Sequence, residues 1–247
     1  MGRTIATLAL QDFDAVFSLA AALEAAGHDA LGRDFGTVLG RSSALGVKVV
    51  DDAKAAISRG DVLIEFTTPE VTVAHTQFAQ ELRKPMVIGT TGLSDAQRTM
   101  VQEATKVIPI VLSPNMSLGV NVLFELAQLA AQRLGLAYDV EVVESHHRQK
   151  KDAPSGTAKR LVEVLAAARK QPASAVPVHA VRAGDIVGDH TVILAGPAER
   201  LELTHRAHSR DVFAQGALTA AAFVAKQRPG LYDMPDVIKA LNSSIAE

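Results

Sequence analysis

Apolar residues come in short blocks along the first half of the chain, and the spacing inside each block predicts its element. From Thr4 to Leu10 they fall at Ile5, Leu8 and Ala9, which reads as part of a helix. Val16 to Leu23 (Val-Phe-Ser-Leu-Ala-Ala-Ala-Leu) reads as a buried strand, with helix as the competitor because of its alanines. Glu24 stands at its end. Val47 to Val50 predicts a short strand and Asp52 to Ser58 a helix. Val62 to Phe66 predicts a strand running into Thr67-Thr68-Pro69, followed by a helix to Leu82. Pro85 to Ile88 predicts another strand, ending in Gly89-Thr90-Thr91-Gly92. Ser94-Asp95-Ala96-Gln97 has the form of a capping box and opens the next helix. Ile108 to Leu112 predicts a strand ending in Ser113-Pro114-Asn115-Met116-Ser117.

Alternating helices and short apolar strands predict a parallel sheet covered by helices on both faces. Ligands of such sheets sit outside the carboxyl ends of the strands. Glu24, Phe66, Gly89 to Gly92 and Ser113 to Met116 all fall at such ends. Each alone reads as well as a turn; together they predict a cofactor crevice.

From Gly119 the pattern changes. Val120 to Leu134 predicts a long amphipathic helix, and Tyr138 to Val143 a strand. A polar stretch follows, Glu144-Ser145-His146-His147-Arg148-Gln149-Lys150-Lys151-Asp152-Ala153-Pro154-Ser155-Gly156-Thr157, and then Ala158 to Ala168, with helical spacing and strong helix formers. Strands are predicted at Val178 to Arg182, Thr191 to Leu194 and Leu201 to His208, and helices at Phe213 to Ala225 and Pro235 to Leu241. Strands gathered after a helix predict an open, mixed or largely antiparallel sheet on its own domain.

The polar stretch has chemical content. Two imidazoles (His146, His147) and two ammonium groups (Lys150, Lys151) lie within six residues. Charged together they repel, which lowers their proton affinity and brings a proton-exchanging group towards neutrality. Pro154 precedes the helix, and Ser155 or Thr157 can cap its free N–H groups, whose positive dipole end suits an anion. One reading is a pocket for an acidic substrate with a proton donor beside it. The other is a solvated basic loop, and spacing alone leaves both open.

Composition narrows the field. At 247 residues, 48% hydrophobic and 21% charged, the chain can build one large core or two modest ones. A net charge of −2 argues against nucleic-acid binding, since no basic field exists to hold phosphates. There is no cysteine, which removes disulfides, thiolate metal sites and a cysteine nucleophile, and fits a cytoplasmic protein. No apolar run is long enough to span a bilayer, so no membrane partner is expected. No metal site is expected either: His146 and His147 are adjacent, and neighbours on an extended chain point apart. His28, His75, His179, His190, His205 and His208 share no motif and read as structural or exposed.

His146-His147-x-x-Lys150-x-Asp152-Ala153-Pro154-Ser155-Gly156-Thr157 resembles the signature of the 4-hydroxy-tetrahydrodipicolinate reductase (dihydrodipicolinate reductase) family, and the resemblance covers nearly the whole chain. It implies an α/β fold, a Rossmann-like doubly wound parallel sheet with a second α+β domain containing an open mixed sheet. Residues 1–117 plus 211–247 would form the dinucleotide-binding domain and 118–210 the substrate-binding and oligomerisation domain. The implied activity is reduction of a small cyclic imine dicarboxylate by NADH or NADPH in the diaminopimelate route to lysine, in a homotetramer. His146 matches the general acid/base position and Lys150 the proton donor, as needed to quench the carbanion left by hydride addition. His147, Ser155, Gly156 and Thr157 match positions that hold the substrate carboxylates. Gly89, Thr90 and Thr91 match one cofactor loop, and Ser113, Pro114, Asn115 and Met116 another. Phe66 matches a residue against the nucleotide, and Glu24 the acid that binds the adenosine ribose. Asp152 is expected to fix the loop.

Two departures matter. Family members begin with a strand and a Gly-x-x-Gly-x-x-Gly-type loop that cradles the pyrophosphate, and Met1-Gly2-Arg3 resembles the end of that loop. A longer segment is also expected between Pro172 and Val181. We expect the native protein to carry both pieces, because losing the first strand would leave 16–23 and 62–66 flanking a void. Ala25 and Ala26 stand where a basic residue in some members meets the NADP 2′-phosphate, so NADH is expected to serve at least as well as NADPH. Two other readings compete: a different nicotinamide reductase acting on an amino-acid-derived imine, and a catalytically dead relative that binds the dicarboxylate but not the nucleotide.

Overall fold

Parallel strands too short to stand alone, each followed by a capped helix, build the first unit. The computed structural model describes residues 1–243, and this unit takes Met1–Met116 together with the chain from Phe213. Helix α1 (Gly2–Gln11) buries Ile5, Ala6, Leu8 and Ala9. Strand β1 (Ala22–Leu23) pairs in parallel with β2 (Val49–Val50), and between them lies a one-turn helix, α2 (Phe35–Val38), capped by Asp34. Then α3 (Ala53–Arg59), β3 (Leu63–Glu65), α4 (Pro69–Leu82), β4 (Met86–Ile88), α5 (Asp95–Ala104) and β5 (Pro109–Leu112) alternate strictly. The capping box at α5 forms as expected, with Ser94 and Gln97 each satisfying the other's backbone N–H. Met86, Val87, Ile88, Ile110 and Val111 are all fully buried, as central strands of a parallel sheet must be. Each such side chain contributes roughly 1.5–3 kcal/mol.

The second unit, Ser117–Val212, is built on a different plan. Helix α6 (Leu118–Leu134), β6 (Asp139–His146), α7 (Gly156–Arg169), β7 (Val178–Arg182), β8 (Gly188–Ala195) and β9 (Arg200–Ala207) follow in order. The sheet order is β7-β6-β8-β9, with β6 parallel to β7 and antiparallel to β8, which makes it mixed. Val140 and Val142 of β6 and Val192 and Leu194 of β8 pack under Leu123 and Ala127 of α6 and Leu161 and Leu165 of α7. The chain then returns through α8 (Asp211–Val224), β10 (Gly230–Tyr232) and α9 (Met234–Ser243). Strand β10 pairs in parallel with β5, giving a main sheet of order β10-β5-β4-β3 in the first unit.

Four expectations are corrected. Val16 to Leu23 is a strand only at Ala22–Leu23; Phe13 to Phe17 form turns, and Val16 is 63% exposed. A strand needs a ladder, and these alanines have none beyond β2. The parallel strands of the first unit do not form one continuous sheet but two, β1-β2 and β10-β5-β4-β3. Strand β6 continues three residues past Val143, to His146. Strand β10 and helix α2 are too short to register as periodic blocks. The part of the tail from residue 244 lies outside the described residues.

Candidate active site

Along β6 the burial alternates, so Val140, Val142, Glu144 and His146 share the face covered by helices. In β8 the same face carries Leu194, Val192, His190 and Gly188, with His190 directly opposite Glu144. The apolar face of the sheet thus turns polar at one end, where α7 begins.

Glu144 is the centre of this cluster and is wholly buried. His146 Nδ1 donates to its Oε2 at 2.5 Å, and Arg182 at the end of β7 donates through Nη1 to Oε2 and Nη2 to Oε1, both at 2.8 Å. The backbone N–H of Ser155 donates to Oε1 at 3.1 Å. Burial pushes the Glu144 carboxyl up, but these donors outweigh it and hold it below its ordinary value. Burial first, with Lys150 and Arg182 adding, pulls the proton affinity of His146 down against the opposing pull of Glu144. Repulsion among the basic residues is therefore the lesser cause of a shift that desolvation dominates. His190, edge-on to His146 with ring centroids 5.2 Å apart, is pushed down to about 4 by burial and then by His146.

The loop between β6 and α7 is tied at several points. Arg182 Nη2 donates to the Asp152 carbonyl at 2.6 Å, and Arg148 N–H to the Gly184 carbonyl at 3.1 Å. Lys150 pairs with Asp152 at 2.8 Å, which holds the Asp152 carboxyl below its usual range. Ser155 caps α7 by accepting from the Ala158 N–H, and its Oγ lies 3.2 Å from His190 Nε2. Gly156 is exposed and Thr157 half-buried on the first turn of α7. His147 Nδ1 lies 3.2 Å from Gln149 Oε1. The second unit thus brings His146, Lys150, Ser155, Gly156 and Thr157 to one strand end and one helix start. At Gly188 an added Cβ would lie 3.1 Å from His146 Nε2, so only glycine leaves that nitrogen uncrowded.

In the first unit the register sets Glu65, Ile88 and Leu112 level, so Phe66, Gly89 and Ser113 leave the sheet at one height. The Phe66 ring packs against Gly89, where a Cβ would come within 2.2 Å of it. Thr90 Oγ1 accepts from Thr67 N–H at 3.1 Å and from Thr72 Oγ1 at 2.8 Å, while Thr91 is exposed. Ser113 Oγ donates to the Asn115 carbonyl at 2.8 Å; Pro114 is exposed and Met116 buried. Glu24 sits apart, after β1 on the small sheet, its exposed carboxylate accepting from Ala25 N–H at 2.9 Å. Level strand ends with hydroxyls and backbone groups, one aromatic ring and a surface carboxylate fit a dinucleotide. No group of histidine, aspartate or glutamate side chains suited to a metal occurs among the described residues.

Sequence reasoning gave no role to Glu144, Arg182, Gly188 or His190. The signal was present for one of them: extending the Val140–Val142 alternation puts Glu144, like His146, on the buried face. Arg182, Gly188 and His190 reach the site through strand pairing, which no local pattern displays.

A parallel-sheet nucleotide-type unit and a mixed-sheet unit carrying a buried Glu–His–Arg cluster at a helix start define the class: a two-unit α/β oxidoreductase. The family description "Dihydrodipicolinate reductase, N-terminus" matches residues 1–116 and "Dihydrodipicolinate reductase, C-terminus" residues 119–238. The chain belongs to the dihydrodipicolinate reductase family. It is 45% identical to the 4-hydroxy-tetrahydrodipicolinate reductase of Aromatoleum aromaticum, covering 96% of this chain and 91% of that one. It is 48% identical to the enzyme of the same name from Anaeromyxobacter dehalogenans, covering 90% and 88%. Among solved structures it resembles a dipicolinate-bound dihydrodipicolinate reductase from Paenisporosarcina sp. TG-14, with a TM-score of 0.71, 26% identity and 87% coverage of both chains.

Proposed function

We propose that this chain reduces 4-hydroxy-tetrahydrodipicolinate to tetrahydrodipicolinate, the reductase step of the diaminopimelate route to lysine, with a pyridine nucleotide as reductant. The observation that carries the reading is His146 at the end of β6, with Nδ1 fixed on Glu144 and Nε2 without a protein hydrogen-bond partner among the described residues. The family and its relatives' shared name support the reaction. Nothing favours the dead relative.

When bound, the nicotinamide supplies the hydride. The nucleotide belongs to the first unit, with Phe66, Gly89, Thr90, Thr91, Ser113, Pro114, Asn115 and Met116 along the sheet edge and Glu24 on the ribose. The dicarboxylate belongs to the second. Backbone N–H groups of Gly156 and Thr157 open α7 and suit a carboxylate, next to the Ser155 cap, and His147 is expected to add a contact from the loop. Lys150 donates the proton that neutralises the substrate carbon, and His146 serves as acid/base through Nε2. Burial lowers the proton affinity of His146, which favours the neutral ring whose Nε2 can take up a proton.

The test is a coupled assay with the synthase that makes the substrate. His146→Gln is expected to lose on the order of 100-fold or more in kcat while KM for the dicarboxylate changes little. Full activity in that variant would end the reading. For the nucleotide, Glu24 is followed by Ala25 and Ala26 rather than a base, so KM for NADH is expected at or below that for NADPH. A KM for NADPH far below that for NADH reverses that preference. Light scattering tests the expected homotetramer.

A further inference from the structure

We infer that Glu144 and Arg182 form a positioning pair that fixes the ring tautomer of His146 and sets how tightly it holds its proton. The inference rests on the reading of His146 as the acid/base group, but it concerns two residues that touch the imidazole rather than the substrate.

The geometry is specific. A carboxylate 2.5 Å from Nδ1 accepts a proton there, so neutral His146 carries its hydrogen on Nδ1 and leaves Nε2 as the exchanging site. Alone, a fully buried carboxylate would hold the imidazolium strongly. Glu144 is not alone. Arg182 grips both oxygens in a fork, and Ser155 N–H adds a third donor, so the anionic charge is divided between the ring, the guanidinium and the backbone. The groups facing His146 are Glu144 on its own strand, Arg182 from β7, His190 from β8, and Lys150 with Asp152 from the loop. His190 is uncharged above about pH 4 and Lys150 is paired with Asp152. Glu144 is thus the charge that favours the cation; Lys150 opposes it from the loop, and Arg182 opposes it both by its own charge and by gripping the Glu144 carboxylate directly. The same Arg182 holds the Asp152 carbonyl at 2.6 Å, so one side chain links the acid/base group to the loop bearing Lys150.

Opposite effects from the two members follow. Glu144→Gln removes the charge that favours imidazolium, so the His146 midpoint falls. Arg182→Gln leaves the carboxylate to the ring and the Ser155 N–H, so the midpoint rises. Each change is expected to be roughly tenfold in proton-binding constant, one pH unit. The experiment is an NMR titration of the nitrogen-15-labelled full chain, wild type and both variants, with the His146 signals assigned by their loss in His146→Gln. Wild type is expected to show the Nδ1–H tautomer. Arg182→Lys, which keeps the charge and loses the fork, is expected to raise the midpoint by less than Arg182→Gln and serves if the latter does not fold. In the kinetic arm the alkaline limb of kcat/KM should move with the midpoint, while KM for the dicarboxylate stays within about threefold. Unmoved midpoints, or shifts of the same sign in the two variants, overturn the inference. A fully active His146→Gln would sink the proposed function instead, and the titration would still judge the pair.

Discussion

At the scale of single residues, the site depends on which groups are kept uncharged and which uncrowded. His190 has a folded pKa of about 4 against an ordinary 6.5, because burial beside His146 disfavours its cation. The unfolded chain therefore binds the extra proton first. Stability from this group is complete above pH 6.5 and is lost as pH falls towards 4, on the order of 3 kcal/mol in all. Denaturant melts between pH 7 and 4 check this, and His190→Gln should flatten the dependence in that window. Glu144, held below its ordinary value of 4.5, adds its own loss only at lower pH. Gly188 makes the complementary case. An alanine there would place Cβ 3.1 Å from His146 Nε2. We expect Gly188→Ala to fold normally, as shown by circular dichroism, and to lose on the order of tenfold in kcat because the ring must shift. Glu144 shows why such residues are hard to read from sequence. A charge after Val143 reads as a strand's end, yet paired charges continue a buried face without leaving it.

At the scale of elements, α8 is shaped to let a loop come close. Its Gly216 sits against the carbonyl of Met116, where a Cβ would be 1.7 Å from the oxygen, and both belong to the first unit. Backbone cannot yield as a flexible side chain can. Gly216→Ala is expected to cost on the order of 3 kcal/mol, lowering Tm by roughly 6–12 °C. If it folds, it should raise KM for the nucleotide, since Met116 ends the Ser113 loop, and leave KM for the dicarboxylate nearly unchanged. Calorimetry and steady-state kinetics read both. Helices α3 to α7 are legible because caps, Pro69 and apolar spacing are local facts. The glycine at 216 is not, because its reason lies on another part of the chain.

At the scale of the whole molecule, the chain folds into two units with separate cores and unlike sheets. The alternation that predicts the parallel unit, and the cluster of late strands that predicts the mixed one, follow from period and length, so the fold class is legible without coordinates. The division of the parallel strands into a pair and a foursome is not legible as a ladder pattern, because hydrogen-bond partnership belongs to two segments at once. Likewise, the polar signature identifies His146, but of the residues around it Arg182 and His190 arrive from β7 and β8.

That division has a mechanical side. Among the described residues, strand β4 is clamped on both flanks, by β3 and β5. The main-chain groups of Met86–Ile88 are therefore satisfied from two sides, and the turn that leaves Ile88 starts from a fixed point. Gly89, the seat of the Phe66 ring, is the first residue of that turn. A methyl group at 89 would therefore displace the ring and not the turn beneath it.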